Sequence, residues 1–323
     1  MKLLNQKPAE FDVPTVKALT NDIQAALVDA NSARVKIATT ELSRILFNQD
    51  TNALIIGINT KDPALLQETV LTTLNAVDSL IGAAEDFPGS VDLYRVGFMV
   101  GQMFSALKYR FESAEDDGRY HEAAISAEMA AHTLERAAKT IGVIEQHVGI
   151  GLLKQGKNFV HATLRGILDH KNDTVVISDS GETRRYIGAR QAFLEAAGDN
   201  YDLASKMIII EAHDPIEATK EALDLRATAA VVLKEAGVSR RMRLKALGDC
   251  SVLAQTIVRG EMGSPAAHLD WLRNDREMHN TSTIPPDLNE RAHEITEIAI
   301  ANAKARFDVF RFTPLSVDGI LNA

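Results

Sequence analysis

The sequence predicts an all-α protein made of two similar helical-bundle-like halves, flanked by extended N- and C-terminal arms, and three observations carry that prediction. Apolar residues make up 46% of the chain but aromatics only 5%; Ala, Leu, Ile and Val supply most of the remainder, a mixture suited to closely packed helices. Apolar residues recur at spacings of three and four, the helical period. Finally, Asn52 to Glu85 aligns without gaps on Ala204 to Gly237 at a constant offset of 152 positions, an internal self-similarity that points to duplication. At 323 residues the chain has room for two domains of ordinary size.

In chain order, residues 1–15 form an arm without helical periodicity, carrying Phe11 and Val13. The first half spans 16–156. Upstream of the repeat, Arg34 to Phe47 resembles Arg185 to Ala197. The anchor of the alignment is Asp62-Pro63 against Asp214-Pro215. Asp at an N-cap accepts from exposed backbone N–H groups, and Pro at the first helical position sacrifices no hydrogen bond, so each pair should open a helix. Glu217 adds the third-position residue of a capping box. The apolar runs before the two pairs, Leu54 to Ile58 and Met207 to Ile210, read as buried helix ends with a short strand as the rival.

Pro88-Gly89-Ser90 and Gly237-Val238-Ser239 each supply a break followed by a Ser N-cap. The next helix of the first half shows one apolar stripe, Leu93, Val96, Val100, Met103 and Leu107; Leu244, Leu247, Ser251, Ala254 and Val258 repeat the spacing more weakly. A long helix closes each half. Its inward face is expected at Ala124, Ala127, Ala131, Leu134, Ala138 and Ile141 in the first half. In the second half (187–312) it is expected at Ile295, Ile298, Ala301, Ala305 and Val309, after a start at Asp287 with Glu290 three residues on. Gly149 to Gly156 reads as a flexible break. Residues 157–186 connect the halves; within them Lys171 to Tyr186 reads as a linker, with a strand or hairpin considered at Thr174 to Ser178. The C-terminal arm is 313–323, and Phe310, Phe312 and Leu315 join Phe11 and Val13 as apolar groups the arms could bury against a partner.

Lys plus Arg total 35 against 44 for Asp plus Glu, a formal charge of -9, which disfavours a diffuse nucleic-acid-binding surface. The densest basic group, Arg240, Arg241, Arg243 and Lys245, falls in the first turns of an expected helix and reads as a solvated charged face. The single cysteine, Cys250, excludes an intramolecular disulfide framework and a thiolate-rich zinc site, and reads as an inert core residue. No signal-peptide pattern opens the chain and no window reaches the ~20 apolar residues of a membrane span. The expected location is the cytoplasm, or a particle assembled there, with no membrane contact.

The sharpest chemical string is Arg273-Asn274-Asp275-Arg276-Glu277-Met278-His279. It resembles the Arg, polar residue, short spacer, His signature of HEPN ribonucleases. The resemblance implies paired helical subunits in which His279 moves a proton while Arg273 stabilises charge on an RNA phosphate. Metal-binding spacings are limited to Glu290 with His293 and to Glu128, His132 and Glu135, read as solvated polar faces. Glycine-rich phosphate loops, nucleophile elbows and dinucleotide fingerprints are missing from the sequence, and no cofactor or metal is expected. Trp271 and the methionines read as packing groups.

The leading expectation is therefore a non-enzymatic helical structural, assembly or interaction protein that self-associates, for which a subunit of a larger particle such as a virion is a fitting setting. The alternative is an HEPN-like metal-independent ribonuclease using Arg273, Asn274 and His279, the one reading in which nucleic acid is a partner. A repeat-type adaptor with a peptide groove is the third, although no tetratricopeptide signature is present.

Overall fold

The computed structural model describes residues 12–47, 58, 60, 62–147, 150–168, 182–210, 212, 214–261 and 286–308, and every regular element among them is helical. The helices are α1 (Val13–Val28), α2 (Ser32–Leu46), α3 (Pro63–Asp86), α4 (Leu93–Asp116), α5 (Tyr120–Gln146), α6 (Ile150–Leu168), α7 (Glu182–Ile210), α8 (Pro215–Glu235), α9 (Arg240–Glu261) and α10 (Pro286–Asp308). The all-α class is as the sequence predicts. Among the described residues, no helix is long and apolar enough to cross a membrane.

The described residues divide into two compact units. The first comprises those up to Tyr109 together with His132–Arg190; the second comprises Arg110–Ala131 and those from Gln191 onward. The α4–α5 connection thus packs with the second unit although it precedes the connecting segment in sequence. Small side chains allow this: Ala114, Ala123 and Ala124 form a buried cluster with Met207, bordered by Phe111, Tyr120 and Ile208.

In the first unit α1, α2 and α3 pack mutually. Helix α1 starts earlier than the expected end of the N-terminal arm, because Asp12 caps it, accepting from the Thr15 backbone N–H at 3.0 Å, and Pro14 occupies its first turn. Val16, Ile23, Val35, Leu42, Leu66, Val70 and Leu74 are fully buried at 0% exposure and fill the space between the three helices. The α4 stripe from Leu93 to Leu107 is buried throughout, as are all six expected inward residues of α5. Helix α4 meets α6 at close range: a Cβ on Gly101 would stand 2.6 Å from the Thr163 carbonyl oxygen, and the Thr163 hydroxyl donates to the Gly97 carbonyl at 3.1 Å. Of the break expected at Gly149 to Gly156, residues 150–156 are helical: Gly151 and Gly156 lie inside α6 and Gly156 is buried, while Gly149 lies outside the described residues. Glycine costs a helix only ~1 kcal/mol against alanine, an amount that tertiary packing readily offsets.

In the second unit α8, α9 and α10 pack mutually. Met207 to Ile210 end α7 as a helix, so the strand rival does not apply; Ile58, before the other Asp-Pro pair, is helical and fully buried. Two expected inward faces need correction. In α9 the buried line runs Ala246, Cys250, Leu253 and Ile257, one residue earlier than expected; Ala254 and Val258 are buried as well, but Leu244 is 56% exposed and Leu247 41%. In α10 the buried line is Ala292, Thr296, Ala299, Ala303 and Phe307, while Ile298 is 54% exposed, Ala301 and Ala305 are exposed and Ile295 is half-buried. Helical spacing sets a period but leaves the phase open by ~100° per residue. Alanines on the inner side let α10 approach both α8 and α9, and that contact decides the phase.

Val309, Trp271 and residues 171–181 of the expected linker, with its strand candidate at Thr174 to Ser178, lie outside the described residues; residues 182–186 of that linker are instead the start of α7.

Candidate functional site

Where α7 stops at Ile210 and α8 begins at Pro215, the second unit leaves a half-open cleft of about 450 Å³. It is lined by His121 from α5, Met207 and Ile208 from α7, Ala212 and Asp214 from the connection, and Ala218 and Glu221 from α8. The arrangement follows from the local sequence. Asp214 must turn its carboxylate back onto the Ile216 and Glu217 N–H groups, at 3.0 and 3.2 Å, to start α8, and this holds the connection open beside the apolar end of α7. Glu217, the other half of the expected capping box, accepts from Lys220 at 2.7 Å.

The cleft is apolar at its floor and acidic at its rim. Burial, together with the negative charges of Glu128 and Asp224, raises the Glu221 carboxyl above its ordinary value, and His121 opposes them. A carboxylate held in this way is better satisfied when a cation arrives.

The first turns of α9 carry the opposite character. Arg240, Arg241 and Lys245 are exposed and Arg243 is half-buried, its Nε buried without a hydrogen-bond partner. The solvated charged face expected here is met by Arg240, Arg241 and Lys245 and not by Arg243. Beside them, however, stand Met242 at 37% exposure, Leu244 and Leu247. Arg240, Leu244 and Leu247 follow one another at spacings of four and three, so cation and leucines share a face. Three large exposed apolar side chains within one helical turn and a half are unusual where exposed apolar residues normally stand singly.

A third constellation centres on a buried arginine. Arg226 of α8 is 5% exposed; it pairs with Asp202, donates to Asp249 at 2.8 Å and to the Ser205 hydroxyl. Burial raises the Asp249 carboxyl against the pull of Arg226, and burial pushes the adjacent Cys250 thiol up to about 12. A thiol so disfavoured as thiolate is a packing group rather than a nucleophile. In the first unit Glu145 is 6% exposed and its Oε1 has no hydrogen-bond partner; burial, partly offset by Arg190, pushes its carboxyl up to about 7.

Among the described residues no three His, Cys, Asp or Glu side chains converge on a common point. Glu290 and His293 are exposed on α10, and His132 Nδ1 lies 3.3 Å from Glu135 on α5. Arg273, Asn274 and His279 lie outside the described residues, as do Phe11, Phe310, Phe312 and Leu315; Val13 is half-buried in the first turn of α1. What the sequence reading missed is the cleft and the outward turn of Leu244 and Leu247. The interleaving of Met242, Leu244 and Leu247 with four cations was the available signal.

No protein-family model, curated protein or solved structure matches the chain.

Proposed function

We propose that this chain is a non-enzymatic helical assembly or interaction protein that associates with itself. The observation that carries this reading is the exposed apolar and cationic beginning of α9, where Leu244 and Leu247 remain in water on a helix whose later turns are buried. Such a face is stabilised by a partner that removes it from water, at ~25 cal/mol per Å² of apolar area. A duplicated origin of the two Asp-Pro helices fits the same picture, since their caps have the same geometry. The arm residues Phe11, Val13, Phe310, Phe312 and Leu315 supply further apolar contacts in this reading, in the cytoplasm or in a particle assembled there.

Light scattering coupled to size exclusion over a wide concentration range tests it. The expected result is a mass that rises above 35.2 kDa with concentration; a constant monomer mass sinks the reading.

A further inference from the structure

We propose that self-association is head-to-tail, with the Arg240 to Leu247 end of α9 in one copy seated in the Met207, Ile208 and Glu221 cleft of the next. This rests on the self-association reading and adds the two surfaces that meet.

The argument begins with charge. The chain carries a formal charge of -9, yet Arg240, Arg241, Arg243 and Lys245 concentrate four cations in six residues. If the α9 end met its own image across a twofold axis, those cations would face each other, and like charges opposed across an interface cost several kcal/mol. A cleft facing its own image would oppose Asp214 and Glu221 to the same pair. Both isologous arrangements are therefore penalised. The cross-arrangement instead sets cations against Asp214 and Glu221.

Apolar matching points the same way. Leu244 and Leu247 need a dry surface, and Met207, Ile208, Ala212 and Ala218 provide one within the same cleft that carries the carboxylates. Its volume of about 450 Å³ suits a few inserted side chains. The neighbouring surface of α9 is unobstructed: a Cβ on Gly248 would meet nothing within 4 Å.

Because the two contacting surfaces differ, each copy keeps one of each free after the first contact. Heterologous pairing therefore closes into a ring or continues as a filament rather than stopping at a dimer. Its charged rim also makes association weaken as salt rises, since the screening length falls from ~10 Å at 0.1 M to ~3 Å at 1 M.

The test is a charge swap on the full chain. Glu221→Lys and Arg240→Glu each alter an exposed side chain, so folding, followed by circular dichroism, stays intact. Each alone should weaken association about tenfold or more, and an equimolar mixture of the two variants should recover most of it. Leu244→Ser with Leu247→Ser, on the same exposed face, should weaken association without a swap partner to rescue it. A wild-type chain that stays monomeric overturns both the reading and this inference. A wild type that associates with variants indistinguishable from it overturns the inference and leaves self-association standing. Loss in both single variants without recovery in the mixture overturns the direct pairing of these two surfaces.

Discussion

Helices α3 and α8 open in the same way and then differ in what they bury, most sharply at one matching position. Asp62 accepts from Ala64 and Leu65 N–H groups, Asp214 from Ile216 and Glu217, and Pro63 and Pro215 each stand in the first turn. Buried positions then correspond at the same offset: Leu66, Val70, Val77 and Leu80 in α3, Ala218, Ala222, Ala229 and Val232 in α8. Leu74 breaks the correspondence, for its counterpart is Arg226. Leu74 sits at 0% exposure in an apolar core, whereas Arg226, at 5%, is enclosed by Asp202, Asp249 and Ser205. The comparison teaches that one helical frame can hold either kind of interior, provided the neighbouring helices supply matching groups. Alanines in place of larger residues on α8 also leave room for a guanidinium to reach its partners.

The largest effect that could break this comparison is Leu74→Arg. Gly97 stands at the position matching Asp249, so the expected cost is more than ~4 kcal/mol, from a buried charge without that carboxylate. Urea unfolding measures it, and a cost under ~1 kcal/mol would show the two interiors to be interchangeable. Next is Arg226→Leu, expected to cost ~3 kcal/mol by leaving the Asp249 carboxylate without its guanidinium, while Asp202 keeps Lys206 at 2.9 Å. Adding Asp249→Met should recover about half of that loss by the same assay, since it removes the more deeply buried carboxylate.

Glu145 sharpens the contrast from the first unit, because it is a buried charge with an unsatisfied oxygen where Arg226 is fully engaged. Its folded value of about 7 lies above the ordinary 4.5. Between those values the folded state binds more protons, so stability falls as pH rises from ~4.5 to ~7 and levels off beyond. Glu145→Gln removes that slope: its unfolding free energy in urea should match wild type near pH 4.5 and exceed it at pH 8, by up to ~3 kcal/mol. An unchanged slope would show that Glu145 ionises freely. The smallest effects belong to the caps. Asp62→Ala and Asp214→Ala should each cost ~1 kcal/mol in chemical denaturation, and a difference above ~1 kcal/mol between them would mean that the shared geometry hides unequal helix starts.

The candidate surface was only half legible. The four cations of α9 stand out in any reading, but Leu244 and Leu247 were assigned inward because their spacing continues the line of Ala254 and Val258. A stripe read from spacing alone cannot reveal that the buried line runs one residue earlier, through Ala246 and Cys250. In α10 the larger Ile298 was favoured over Ala299, whereas close approach to α8 and α9 selected the smaller side chain.

What the sequence determined by itself is therefore what acts within about four residues. The Asp62 and Asp214 caps, the helical period and the stripe from Leu93 to Leu107 all depend on backbone groups and neighbours one turn away. Tertiary structure decided the phase of α9 and α10, the enclosure of Arg226, and the cleft that brings His121 beside Glu221. Those depend on residues tens of positions apart arriving at one place, and no local rule of capping or spacing carries that information.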